Sequence, residues 1–336
     1  AAGTAYFFAG DFSPAGQHLR KAIQLNPLSA NAHLALAKLH AAEDNLRQAL
    51  AEAQHAVGLD PRSAPARTTL GLLLMLNDDP RRAGRQFEEA LALDPEMAQA
   101  HTGWGTALQQ KGRFGEALDE QKAAVALDTD SAAAQNNLGG LYAAFGDMEL
   151  AKEHLDRAIE LQPGWGMPYA NLAVVYLEQN QFAHALEAAE KALKLGEQSA
   201  FVHTVLARIY MQQGRYDRAF EQLQRAVTLD EEYPQAHYQL ARLYLRQDRA
   251  RDALRAILTS TARDPSSMLE TRLYAQTEAT AAAGRFQKLH LDARHSGICS
   301  DGRWSYFASG LWQDNQAYRT INQDSEEVFG EIIAGY

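Results

Sequence analysis

One cysteine, Cys299, is all the thiol chemistry in 336 residues, so no intrachain disulfide can form. An oxidising compartment is therefore neither required nor excluded. Basic residues never gather into a block: 32 lysines and arginines stand against 42 aspartates and glutamates, a net charge of -10. Phosphate backbones and acidic lipids would not be attracted overall, which excludes nucleic acid and an anionic membrane surface as default partners. No apolar run reaches the roughly 18 residues a spanning helix needs. No charged leader followed by an apolar stretch opens the chain. A glycine-rich phosphate loop and a catalytic constellation are both missing, so the chain reads as non-enzymatic, with no cofactor. Proline is scarce too, ten in all, and its placement is the most informative thing about the chain.

Asn26-Pro27, Asp60-Pro61, Asp94-Pro95, Gln162-Pro163 and Asp264-Pro265 fall on one 34-residue lattice, and Asp128-Thr129, Gly196-Glu197 and Asp230-Glu231 keep the spacing without the proline. A regular period of this length marks a helical solenoid. Full units begin at Ala30, Ala64, Ala98, Ala132, Gly166, Ala200 and Pro234. In each, an amphipathic segment is followed by a turn and a second helix. The turns at Leu76-Asn-Asp-Asp-Pro80, Gln110-Lys-Gly-Arg-Phe114, Phe145-Gly-Asp147 and Gln213-Gly-Arg-Tyr216 supply residues that tolerate a left-handed backbone. Aspartate then proline at the unit boundary is expected to cap and start the next helix.

Place eight of the unit is small (Gly71, Gly105, Gly139, Ala173, Ala207, Ala241) and place twenty is alanine throughout, from Ala49 to Ala253. Small residues there let antiparallel helices approach. Pairs such as Leu138 with Tyr142, Leu172 with Tyr176, Leu206 with Tyr210 and Leu240 with Tyr244 fill the layer. No unit buries enough surface to stand alone, so stability comes from stacking on neighbours.

The stretches Asn137-Leu-Gly-Gly-Leu-Tyr142, Asn171-Leu-Ala-Val-Val-Tyr176 and Leu206-Ala-Arg-Ile-Tyr210 resemble the tetratricopeptide repeat, over residues 1 to about 285. The departures are Arg67 and His101 at place four, where the family often has tryptophan, and Gln121 at place twenty-four, where it has a large apolar residue. The expected fold is all-α, a right-handed superhelical solenoid of antiparallel helix pairs with a short β-rich C-terminal segment. The expected division is a partial first repeat over 1–29, seven full units over 30–267, a capping helix over 268–284 and a β-strand segment over 285–336. The opening Ala1-Ala2-Gly3 falls inside a repeat, so the chain is expected to be a segment of something longer.

The resemblance implies that places two, six, nine and thirteen of each first helix line a concave groove that holds a protein or peptide segment. Carried onto this chain, the groove residues are Lys38, Thr69, Asn137, Asn171, Glu178, Arg208, Gln212, Arg242 and Arg246. Asn137 and Asn171 could hydrogen-bond the backbone of an extended guest. Arg208, Arg242 and Arg246 could receive an acidic segment or a C-terminal carboxylate. The lysine and asparagine clamp of chaperone-binding members is not reproduced in one place. His33, His101, His203 and His237 at place four read as packing or surface residues.

Beyond Arg285 the hydropathy period changes to two, and three strands are expected around Leu289, from Arg303 to Trp312 and from Val328 to Tyr336. His290, Asp292, His295 and Cys299 cluster there, but strand alternation divides them and no metal site is expected. Aromatic ten-residue segments after a repeat array also resemble the junction in outer-membrane exopolysaccharide exporters, where a periplasmic solenoid runs into a β-barrel. The expected function is thus a protein-interaction scaffold, in a bacterial envelope assembly or secretion complex. Alternatives are the periplasmic arm of a polysaccharide translocator, with polysaccharide or an outer-membrane component as partner, and the targeting module of an enzyme whose catalytic domain lies elsewhere. A periplasmic or outer-membrane-associated location is favoured over a cytoplasmic one.

Overall fold

The computed structural model describes residues 2–247, 249, 252–253 and 255–256, and the backbone of three strands between 275 and 309. Its helices come in pairs that keep the 34-residue beat. After α1 (Ala2–Phe8) and α2 (Phe12–Leu25) come α3 (Ala30–Ala42) with α4 (Leu46–Leu59), and α5 (Ala64–Leu76) with α6 (Pro80–Leu93). Next are α7 (Ala98–Gln110) with α8 (Phe114–Leu127), α9 (Ala132–Phe145) with α10 (Met148–Leu161), and α11 (Gly166–Glu178) with α12 (Phe182–Lys194). The chain continues with α13 (Ala200–Gln212), α14 (Tyr216–Leu229) and α15 (Pro234–Arg246). Two units are distinguished, Ala1–Gln198 with α1–α12 and Ser199–Tyr336 with α13–α15. Both use the same all-α construction of antiparallel helix pairs, the right-handed tetratricopeptide type.

The turn between paired helices works as its residues predict. Place fifteen takes the left-handed conformation at Asp44, Asp78 and Asn180 (φ 57°, 54° and 59°) and at Gly146 (φ 86°). The boundary between repeats differs from expectation. Ser29, Ser63 and Ser131, at place thirty-four, are the caps, each accepting at 3.3 Å from the amide three residues on. Asp60, Asp94 and Asp128 instead accept at 3.1 Å from the amide two residues on. They fold the loop as Asx turns before the helix begins, because their backbone is still three residues short of the cap position. Aspartate-proline therefore shapes the connection and does not start the helix.

Packing explains the small residues. The place-twenty alanines Ala49, Ala83, Ala117, Ala151, Ala185 and Ala219 are completely buried, and so are Ala56, Ala90, Ala124, Ala158, Ala192 and Ala226 seven residues later. Two rows of methyl groups, one turn-pair apart on each second helix, set how closely it meets its neighbours. Where the row opens, one larger side chain fills the space. Phe87 is fully buried, and its ring lies where Cβ atoms on Gly71 and Gly103 would come within 2.6 and 2.5 Å. Glycine on both flanking helices is what makes room for a phenylalanine between them.

The C-terminal strands are β1 (Ala275–Thr277), β2 (Leu289–Ile298) and β3 (Trp304–Ser309), antiparallel in the order β1-β2-β3. Ala275 pairs with Leu291 and Asp292 with Ser309. The expected barrel start is overturned: apart from these short stretches the described chain is helical, and three strands in an open order close into no barrel. β1 falls within the stretch 268–284 expected as a capping helix; the rest of that stretch, and the expected strand from Val328 to Tyr336, lie outside the described residues.

Candidate partner-binding surface

Two polar systems are built into the repeats, one inside five of the helix pairs and one across the first helices. The first centres on place four. His33 Nδ1 lies 2.6 Å from Glu52 Oε2 on the second helix, and its Nε2 lies 3.1 Å from the Pro27 carbonyl of the preceding loop. His101 repeats this with Glu120 at 2.6 Å and Pro95 at 2.9 Å. A carbonyl only accepts, so Nε2 carries hydrogen in both, and Nδ1 and its carboxylate share one further proton. Arg67 donates to the Pro61 carbonyl at 2.9 Å and to Gln86 at 3.3 Å, and pairs with Glu89. In the next repeat the chemistry is exchanged. Gln135 donates to the Thr129 carbonyl at 2.9 Å, and its Oε1 accepts from His154 Nδ1 at 2.7 Å. His203 meets Gln222 at 2.8 Å.

In these five repeats the place-four side chain thus reaches the residue nineteen positions on, and in four of them the loop six positions back; His237 reaches only the loop, at the Glu231 carbonyl 2.7 Å away, and Tyr169 has an alanine nineteen positions on. These contacts stand where the family often puts tryptophan. Charge-assisted bonds of this kind each contribute about 1.5–3 kcal/mol, neutral ones about 1. Read as packing residues, these histidines were half understood. The missed signal was internal: place twenty-three supplies Glu52, Gln86, Glu120, His154 and Gln222, each complementary to its own place four. Burial holds the His154 imidazole below its ordinary range, against the opposing pull of Glu153.

The second system crosses α7, α9 and α11, which lie side by side. Asn171 Nδ2 donates to Asn136 Oδ1 at 2.9 Å, Asn136 Nδ2 to Asn137 Oδ1 at 3.3 Å, and Asn137 Nδ2 to Thr106 Oγ1 at 3.2 Å. Thr106 passes its proton to the Thr102 carbonyl at 2.9 Å. Asn137 and Asn171 are therefore brought together, through a buried Asn136 that no repeat-phased pattern singles out. Each amide nitrogen in the ladder keeps a second N–H, so the seam is ordered without being exhausted. Gly140 sits beside it: a Cβ there would meet only Asn171 Nδ2, at 3.7 Å. The strip of Thr106, Asn137, Gly140 and Asn171 is half-buried, polar and free of bulk.

Other expected groove residues are differently placed. Thr69 is buried and its hydroxyl donates back to the Pro65 carbonyl at 2.9 Å, so it offers no donor outward. Lys38 is exposed on α3, and Glu178 is exposed at the end of α11. In the second unit Arg242 is half-buried, donates to Gln239 at 3.1 Å and lies 6.0 Å from the Tyr238 ring. Arg246 is exposed and donates to the Tyr216 hydroxyl at 2.6 Å, while Gln212 is exposed at the end of α13. Half-buried Arg208 acts on Tyr233: burial first and Asp230 second push that hydroxyl up to about 12, while the Arg208 guanidinium pulls the other way.

Tetratricopeptide repeat models match residues 1–64, 68–132, 130–198, 176–226 and 207–248, so most of the chain is accounted for by one kind of repeat. The chain belongs to the tetratricopeptide repeat family, whose solenoids are non-catalytic interaction scaffolds. Among the described residues no group of three or more metal-ligating side chains occurs. The exporter likeness is set aside here as well, since the matching models are all repeats.

Among solved structures, the APC/C hetero-tetramer Cut9-Hcn1 contains a chain with TM-score 0.60 at 19% identity, over 77% of this chain and 52% of that one. This chain thus spans about half the length of that relative. PilF of Pseudomonas aeruginosa aligns with TM-score 0.50 at 20% identity over 63% of this chain and 97% of its own. PilW, a type IV pilus biogenesis factor, gives 0.51 at 22% over 63% and 98%. At these identities the likeness is one of fold. No curated protein matches the chain.

Proposed function

We propose that the chain is a non-enzymatic scaffold that holds an extended protein segment along the first-helix face of the unit Ala1–Gln198. The observation that carries this reading is the ladder from Asn171 to Thr106 with Gly140 beside it. Bare backbone at Gly140 lets a guest main chain come close, and the spare amide N–H groups of Asn137 and Asn171 meet its carbonyls. The place-four clips of His33, Arg67, His101 and Gln135 support it, because a groove whose helix pairs are fixed by hydrogen bonds loses little entropy on binding. Lys38, Thr69 and Glu178 belong to the same face by their places in the repeat. In the second unit Arg208, Gln212, Arg242 and Arg246 occupy the equivalent places and favour an acidic or C-terminal stretch of a guest. Seven full repeats over 30–267, a β-rich appendage over 285–336 and a role in bacterial envelope assembly complete the proposal. The pilus biogenesis role of PilW suggests the last of these, with a periplasmic or outer-membrane-associated setting. The test is selection of peptides from a displayed random library on the immobilised chain, followed by affinity measurement. Replacing Asn137 and Asn171 by alanine together should weaken a selected peptide at least tenfold, and unchanged affinity would remove the groove from the account.

A further inference from the structure

The two helix ends of the second unit differ in charge, although Asp217 and Asp252 stand among the arginines of one of them. Asp230, Glu231 and Glu232 stand in the loop between α14 and α15. At the other end, where first helices turn into second ones, Arg215, Arg218, Arg246 and Arg249 gather on a set of tyrosines. Arg215 lies 4.9 Å and Arg218 6.0 Å from the Tyr210 ring centroid. One repeat later Arg249 lies 4.4 Å from the Tyr244 ring. Arg246 is 5.5 Å from the Tyr216 ring and bonded to its hydroxyl. Phe220 packs on Tyr244 at 6.0 Å, and Tyr210, Tyr216, Phe220 and Tyr244 border one core cluster, so the two turns are held together by rings.

A guanidinium lying over a ring has lost much of its rotamer freedom before any ligand arrives, and its N–H donors remain in their own plane, directed past the ring edge. That is the geometry for gripping a carboxylate with two parallel bonds. The edge already holds one: Arg249 Nε donates to Asp252 Oδ2 at 2.7 Å and its Nη2 lies 2.7 Å from the same oxygen, so Nη1 is the nitrogen left for a guest. Arg218 and Arg246 are exposed and Arg215 half-exposed. We propose that this arginine–tyrosine edge docks a short acidic segment of a protein partner.

The net charge of -10 decides between polyanions. A long one would meet repulsion from the rest of the chain. A segment of a few residues feels only charges within a Debye length, about 8 Å at physiological salt. Arg215 and Arg249 belong to successive turns, about 10 Å apart if first helices pack at the usual spacing. Three residues of extended chain span about that distance, so carboxylates at positions i and i+3 suit the edge. The inference rests on the scaffold reading but not on the asparagine ladder.

The test uses the whole chain and a fluorescein-labelled peptide, Glu-Ser-Ser-Asp flanked by glycines, with a Gln-Ser-Ser-Asn control, read by fluorescence anisotropy. The acidic peptide should bind and the control should not, with affinity falling at least tenfold between 50 and 500 mM salt. Arg215→Gln with Arg249→Gln should cost at least tenfold. Arg215→Lys with Arg249→Lys should cost about threefold, because charge survives and the planar fork does not. Asp252→Asn should tighten binding by freeing Arg249. Asn137→Ala with Asn171→Ala should change nothing, which separates this surface from the groove. Equal losses in Arg225→Gln, an exposed arginine further along α14, unchanged binding in the double glutamine variant, or tighter capture of an oligothymidylate of similar charge would overturn the proposal.

Discussion

Replacing Gln121 by leucine should stabilise the protein. Gln121 is completely buried at place twenty-four, where Leu155 and Leu223 stand fully buried in their own repeats. Its Nε2 donates to the Thr102 carbonyl at 2.9 Å, but its Oε1 has no hydrogen-bond partner. An unpaired buried acceptor costs about 1–3 kcal/mol, and the hydrogen bond that would be lost contributes about 1. The Thr102 carbonyl keeps the Thr106 hydroxyl as a donor, so the substitution orphans nothing there. Leucine also buries a branched hydrocarbon in place of an amide, and the fit has a precedent: Leu155 occupies the hollow opposite Gly139 as Gln121 occupies that opposite Gly105. The net gain is about 1–2 kcal/mol, or a rise of about 3–6 °C in a unit of this size. Thermal and urea melts of the wild type, Gln121→Leu and Gln121→Ala would read it. The alanine variant should fall by about 2 kcal/mol through the cavity it leaves. A leucine variant melting at or below the wild type would show that the amide is worth more than its unpaired oxygen costs, and would refute the reasoning.

The clip at place four predicts that Glu120→Gln, whose amide can still hydrogen-bond His101, loses less than Glu120→Ala, which should lose about 1.5–3 kcal/mol; urea midpoints decide, and equal losses would dissolve the clip. His154 is neutral in the fold because burial lowers its affinity for a proton. Its contribution to stability is therefore complete above the ordinary imidazole range near pH 6.5 and is lost as pH falls toward its lowered folded value. Its NMR titration should have a midpoint below that of an unfolded-chain histidine, and one at or above 6.5 would contradict the assignment. Gly146→Ala, at a left-handed turn residue, should cost about 1–2 kcal/mol without altering the circular dichroism of the folded state.

The lattice of the helices was legible because it is written by backbone chemistry: a residue tolerant of positive φ at place fifteen, alanine at place twenty and a loop ending near place thirty-four. What escaped was relational. Asp60 and Asp94 carry the residue type of a cap but lie in the loop, and only the backbone path shows that Ser63 does the capping. Asn137 and Asn171 share a place in the repeat, but it is Asn136, one position away on a buried face, that joins them. The place-four histidines were judged one at a time, although His33, His101 and His203 are each explained by the residue nineteen positions later. In the second unit Arg246 was assigned to the groove by its place number, and the Tyr216 ring beneath it draws it toward the turn edge.

The central claim is that a guest chain lies against the first-helix strip of the unit Ala1–Gln198. Gly140→Tyr tests it most directly. A Cβ there would meet only Asn171 Nδ2, at 3.7 Å, so the backbone should tolerate the substitution while the new ring fills the path of the guest. Isothermal titration with a library-selected peptide should show binding abolished and the melting temperature unchanged or slightly raised. Full affinity in the Gly140→Tyr protein would place the guest somewhere else.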